Sequence, residues 1–219
     1  RQMPELIERG YLYIAQPPLY RIKRGNSEVY LKDDRAMEDY LLRDCIEEVT
    51  LELHDGSQVG GEDFWALIEE ARQARNHMEP IQRKVGNHAV VEQSAVAGAL
   101  SPAILDDEKT AADAANYVAT RLDALADPLE KGWTGEPSAD GGLLFQRTLR
   151  GITQKYVIDG DLIRSRDGRS LDAIAGAMQK IYGQFATLKT KSEDLRIEGP
   201  ATLIENLTEI GRKGLSFQR

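Results

Sequence analysis

The chain has 219 residues, 41% apolar and only 6% aromatic, which is enough for a hydrophobic core in one large domain or two small ones. Its net charge of −8 argues against a general nucleic-acid-binding surface, because affinity for a phosphate backbone comes chiefly from clustered Lys and Arg. No apolar run approaches the roughly 20 residues that span a bilayer, and Arg1-Gln2-Met3-Pro4-Glu5 shows no secretory signal, so a soluble cytoplasmic protein without a membrane partner is expected.

The opening reads as a short helix from Pro4 to Arg9 stopped by Gly10, then a strand at Tyr11–Ala15 that Gln16-Pro17-Pro18 must interrupt. A second strand is expected from Leu19 to Lys23, with Leu19, Arg21 and Lys23 on one face and Tyr20 and Ile22 on the other. Arg24-Gly25-Asn26 then turns it into a third, Glu28–Leu31. Asp33 or Asp34 can cap a helix to about Cys45, followed by a strand at Val49–Leu53 and a turn at His54-Asp55-Gly56.

Phe64, Trp65, Ile68 and Ala71 line one side of a helix that starts at Glu62 and is expected to end at Pro80. Asp106 or Asp107 can cap the next long helix, in which Ala111, Ala115, Val118, Leu122 and Leu125 recur at spacings of four and three. Residues 131–142, with four glycines and a proline, predict a loop with a strand near Trp133. Leu143–Leu149 and Ile152–Ile158 flank Arg150-Gly151 as a hairpin. A helix is expected after Ser170, with Leu171, Ile174, Met178 and Ile181 on one face and Gly183 as its stop, then a strand at Phe185–Lys189. Pro200 opens the last helix, Leu203, Ile204, Leu207 and Ile210 form its buried side, and Leu215–Gln218 reads as extended. The fold class is α+β, with the helices mainly in the middle.

Charge is unevenly spread. Residues 1–32 hold six Lys or Arg against three acids and residues 196–219 hold four against three, which leaves −12 on the residues between. The single cysteine, Cys45, excludes an internal disulfide and suits a small buried hydrophobe. Asp159-Gly160-Asp161 and Asp167-Gly168-Arg169 invite a metal loop, but Ile163, Arg164 and Ser170 stand where an EF-hand needs a ligand, a glycine and a glutamate, so two Asp-Gly turns are expected. His54, His77 and His88 lack zinc-site spacing, and no glycine-rich phosphate loop is present.

Arg1-Gln2-Met3-Pro4-Glu5-Leu6-Ile7-Glu8-Arg9-Gly10 and Tyr13-Ile14-Ala15-Gln16-Pro17-Pro18-Leu19-Tyr20 closely resemble the B subunit of bacterial DNA gyrase, a type IIA topoisomerase, just after that family's acidic metal-binding motif. Lys32-Asp33-Asp34-Arg35-Ala36-Met37 is also similar, and Gly211-Arg212-Lys213-Gly214-Leu215-Ser216-Phe217-Gln218-Arg219 resembles the segment leading into the family's Tyr-Lys-Gly-Leu-Gly-Glu-Met motif. Between these anchors the chain resembles the form, found in many Gram-negative bacteria, that carries a long insertion.

The resemblance implies TOPRIM strands and a helix at residues 1–46 and 198–219, flanking an insertion domain at 47–197. It implies a parent that supercoils DNA by ATP-dependent double-strand passage, with Mg²⁺ on acidic residues expected before Arg1 and the catalytic tyrosine on the A subunit. Double-stranded DNA and the A subunit are the implied partners, and ATP and Mg²⁺ are cofactors of the parent with no ligands in this segment. No catalytic, cofactor or metal residue carries over, so the segment alone is expected to be inactive. Arg212, Lys213, Gln218 and Arg219 approach the family's DNA-proximal motif, where they either contact phosphate or support the fold. The insertion is expected to assist DNA binding and inter-domain communication, its acidic surface pointing away from the duplex or regulating access to it. The competing account is a free-standing protein-interaction module that presents the helices between Glu62 and Ala126.

Overall fold

A computed structural model describes residues 4–11, 17–139 and 141–218. Its backbone divides into two units, one of Arg1–Cys45 with Thr208–Arg219 and the other of Ile46–Leu207. The mixture of helix and strand is α+β throughout.

The smaller unit begins with helix α1 (Pro4–Glu8), which stops at Gly10 in the left-handed region at φ +70°. The strand expected at Tyr11–Ala15 lies outside the described residues except for Tyr11. Strands β1 (Tyr20–Arg24) and β2 (Ser27–Leu31) pair antiparallel from Tyr20↔Leu31 to Arg24↔Ser27. Their two-residue alternation turns Ile22 inward, where it is fully buried, and leaves Lys23 in solvent. Helix α2 (Asp34–Ile46) starts where the Asp33 carboxylate accepts the Ala36 amide at 2.8 Å, and its Leu41, Leu42 and Cys45 are buried.

In the larger unit, β3 (Thr50–Glu52) and β4 (Gln58–Val59) form a hairpin around Asp55-Gly56. Helix α3 (Gly61–Val85) then runs straight through Pro80. The expected stop fails because Ile81 and Gln82, beyond the exposed Pro80, extend the buried face of Phe64, Ile68, Ala71, Ala74 and Met78, and that burial outweighs the lost backbone bond and the crowding of the proline ring. Gly86, left-handed at φ +77°, is the true stop. Helix α4 (His88–Val96), capped by Asn87, is buried almost all round, so it carries no amphipathic period by which the sequence could announce it.

Helix α5 (Glu108–Leu125) is capped by Asp107 and buries Ala111, Ala115, Val118 and Leu122 as the spacing predicts. Strands β5 (Thr134–Ser138), β6 (Gly142–Leu149) and β7 (Ile152–Ile158) form a sheet in that order. Pro137 is tolerated because β5 is an edge strand, and the β6–β7 turn at Arg150-Gly151 has both residues at positive φ.

Residues 159–170 depart from expectation. Asp159 caps the short helix α6 (Gly160–Arg164), and Ser165 caps α7 (Arg166–Tyr182), which begins five residues before the expected start after Ser170. The Asp-Gly pairs are therefore a helix cap and part of a helix's first turn. Gly168 packs where an added Cβ would lie 2.3 Å from the Ile163 carbonyl oxygen, which is what seats that turn. Strands β8 (Ala186–Lys189) and β9 (Asp194–Ile197) complete a second sheet of order β4-β3-β8-β9, closed by the distant pair Leu51↔Leu188. Helix α8 (Pro200–Arg212) follows, its residues 200–207 belonging to the larger unit and 208–212 to the smaller. In the smaller unit, Gly211 lets α8 approach α2: a Cβ there would lie 2.3 Å from the Leu41 carbonyl oxygen. Strand β10 (Ser216–Gln218) then pairs with β1, giving the order β10-β1-β2. No described helix is long and apolar enough to cross a membrane.

Candidate nucleic-acid interface

The alternation of β1 places Arg21 and Lys23 on the face opposite Ile22. Register puts Tyr30 of β2 and Gln218 of β10 on either side of Arg21, and Glu28 and Ser216 on either side of Lys23. The Arg21 guanidinium is the hub of this face. Its Nε donates to Glu28 Oε2 at 3.1 Å, its Nη2 to Glu28 Oε1, and its Nη1 to Gln218 Oε1 at 3.0 Å. The hydrogen bond from Arg21 holds the Glu28 carboxyl below the usual carboxylate range, and the same bond raises the guanidinium.

Arg21 has five N–H donors, and among the described residues two are left for another acceptor. Lys23 and Tyr30, the latter 58% exposed, lie beside it with an exposed cation and a phenol. Such a face can donate several hydrogen bonds to an anion while Glu28 keeps the guanidinium flat and oriented.

The four residues singled out from sequence fall in different places. Gln218 lies on the sheet face, bonded to Arg21. Arg212 ends α8, and Lys213 follows it, both exposed at the turn before β10. That turn closes through the Leu215 amide, which donates to the Arg212 carbonyl at 3.1 Å, with Gly214 at φ +78°. Arg219 lies outside the described residues. Arg21, Lys23 and Tyr30 were missed as site residues. The alternation that put Arg21 and Lys23 on one face was visible, but the strand that completes the face arrives 197 residues later.

Other candidates resolve simply. Cys45 is buried. His77 Nδ1 lies 2.9 Å from an Asp167 carboxylate oxygen, tying α3 to α7. Among the described residues no three His, Cys, Asp or Glu side chains are grouped to hold a metal ion.

A family model described as "GyrB, hook" matches residues 18–43, the stretch that forms β1, β2 and most of α2. The B subunit of DNA gyrase from Caulobacter vibrioides is 37% identical over all 219 residues, which span 26% of that protein. The corresponding gyrase B subunit of Rickettsia bellii is 29% identical over 219 residues, 27% of its length. The B subunit of the type 2 topoisomerase of Aquifex aeolicus is 36% identical over 90 residues, 41% of this chain and 11% of that protein. The chain is thus a segment of a type II topoisomerase B subunit. Within that class it belongs to the family of DNA gyrase B subunits, and it spans about a quarter of the length of the relatives it matches end to end.

Proposed function

We propose that residues 1–46 and 198–219 are the C-terminal part of a TOPRIM domain and that 47–197 are an insertion within it. The division of the backbone after Cys45 supports the first of these boundaries. The insertion is supported by a match confined to 90 residues in Aquifex aeolicus but running end to end in Caulobacter vibrioides, as a segment that varies between members would produce.

The parent is the B subunit of an ATP-dependent DNA gyrase that works with an A subunit on double-stranded DNA in the cytoplasm. The match to gyrase B subunits along the whole of this chain carries this reading. Mg²⁺, held by acidic residues of the parent, would stabilise the developing charge of phosphoryl transfer. ATP likewise belongs to the rest of the parent.

In this scheme the segment positions DNA. Arg21, Lys23 and Gln218 on the sheet face, with Arg212, Lys213 and Arg219 beside it in sequence, donate to phosphates, which fix register without reading bases. The insertion, acidic and built around buried polar contacts, assists DNA binding through the hydrogen bonds that its α4 makes to the start of α8 and needs no phosphate contacts of its own. No observation favours a free-standing interaction module.

The test is supercoiling by the full-length B subunit assembled with its A subunit. Arg212→Glu with Lys213→Glu is expected to weaken DNA binding at least tenfold and slow supercoiling in proportion, with the fold retained. Unchanged binding and supercoiling would remove the DNA-positioning role.

A further inference from the structure

Glu92 is a carboxylate in an unusual place. It belongs to α4 among Val90, Val91, Ala95 and Val96, and only 6% of it is exposed. Its Oε1 accepts from the Ala201 amide at 2.8 Å and the Thr202 amide at 3.2 Å, and its Oε2 lies 3.0 Å from the Thr202 hydroxyl. These amides are in the first turn of α8, where no intrahelical acceptor exists. Pro200 has no amide proton and Gly199 no side chain, so α8 cannot cap itself. Gly199 also makes room for the cap: a Cβ there would lie 2.4 Å from Glu92 Oε1.

The next residue holds the approach to the same turn. Gln93 Nε2 donates to the Glu198 carbonyl at 3.2 Å, and its Oε1 accepts from Arg121 Nε at 3.0 Å. The other arms of Arg121 donate to the carbonyls of Tyr182 and Gly183. Two adjacent residues of α4, through one arginine, therefore grip both ends of the segment that carries β8 and β9.

Glu92 has donors but no cation. Among the described residues it forms no ion pair, and the Arg121 guanidinium is committed to Gln93 and the two carbonyls. The titratable groups that bear on it are Glu205 from α8 and Tyr182 from α7, and Glu70 of α3 bears on Tyr182. None of these favours a negative charge. Burial is the main reason the Glu92 carboxyl is pushed up to about 7, against the opposing pull of its three hydrogen bonds. As observed, Oε1 accepts both amides and Oε2 accepts the Thr202 hydroxyl; when Oε2 takes up a proton, the Thr202 hydroxyl turns to accept it and Oε1 keeps both amides.

We propose that Glu92 is a proton-gated latch on the start of α8, closed while its carboxyl is neutral and loosened when it ionises. Opening lets water solvate the carboxylate, which a closed latch denies it. Because residues 200–207 of α8 belong to the larger unit, the latch governs how firmly that unit holds the start of the helix. The latch does not depend on the gyrase reading.

Hydrogen exchange of the full-length B subunit, read by mass spectrometry on peptides covering Gly199–Leu207 and corrected for intrinsic rates, tests it. The closed latch binds its proton more tightly than an open one with an ordinary carboxyl near 4.5, so opening grows as pH rises. From pH 5.5 to 8 the open population should increase roughly 25-fold. Glu92→Gln keeps the acceptor and removes the charge, so these peptides should stay protected at pH 8 with no such rise. Glu92→Ala should exchange fast at both pH values while peptides of α3 keep their protection. The proposal is overturned if wild type and Glu92→Gln share one pH profile; that comparison decides even if Glu92→Ala fails to fold.

Discussion

The exposed sheet of the smaller unit and the buried polar cluster of the larger one use the same chemistry to opposite ends. Around Arg21 an arginine, an acid and an amide meet in solvent, where water covers any partner that leaves. Inside the larger unit Arg121 bonds the Gln93 amide and two carbonyls, and Glu92 accepts from the start of α8 with no ion pair between them, so a donor lost there leaves a buried acceptor short of a partner. An exposed cluster of this kind can be retuned for a ligand at little cost in stability. A buried one fixes the backbone and cannot be altered without disturbing it.

Arg121→Ala breaks this contrast hardest. It strips donors from Gln93, Tyr182 and Gly183, and a loss of about 3 kcal/mol is expected in denaturant unfolding of the transition that includes this unit. Gly135→Ala comes next, because its Cβ would lie 2.2 Å from the Ala115 carbonyl oxygen, backbone that cannot yield; about 2 kcal/mol should be lost in the same measurement.

Glu92 then supplies a pH dependence. Its folded value lies above its ordinary one, so its contribution to stability is fullest below about 4.5 and is lost as pH rises through about 7. The difference in thermal midpoint between wild type and Glu92→Gln should therefore widen from pH 5 to pH 8, in favour of Gln. The smallest effect belongs to Glu28→Gln: its carboxyl is held low by an arginine that water can replace, and the midpoint should not move measurably at neutral pH. A large loss there would erase the distinction between the two clusters.

What could be read from the sequence follows the range of the interactions. Asp33 and Asp107 act within three residues, as caps do, and were visible; so was the turn at Arg150-Gly151, where local backbone chemistry decides. Pro80 misled because a tertiary face continuing through Ile81 outweighed a local break. Ser165 gave way to Ser170 as the expected start because the close seat of Gly168 on Ile163 is not a sequence pattern. Glu92 gave no signal at all: its partners lie 109 and 110 residues on, and in sequence it is one more acid in a helical stretch. At the candidate interface, the cationic tip at Arg212 and Lys213 was legible from charge, while the face that Gln218 completes with Arg21 required the pairing of the first described strand with the last.

On the proposed function, the smaller unit meets DNA phosphates and the larger unit does not. The direct measurement is the slope of log affinity for duplex DNA against log salt, taken with the full-length B subunit assembled with its A subunit. Each phosphate contact contributes about 0.9 to that slope. Arg212→Glu with Lys213→Glu should flatten it by between one and two such increments, while Lys109→Glu with Lys180→Glu, exposed changes in the larger unit, should leave it as it was. An unchanged slope in the first pair, or an equal flattening in the second, would contradict the account.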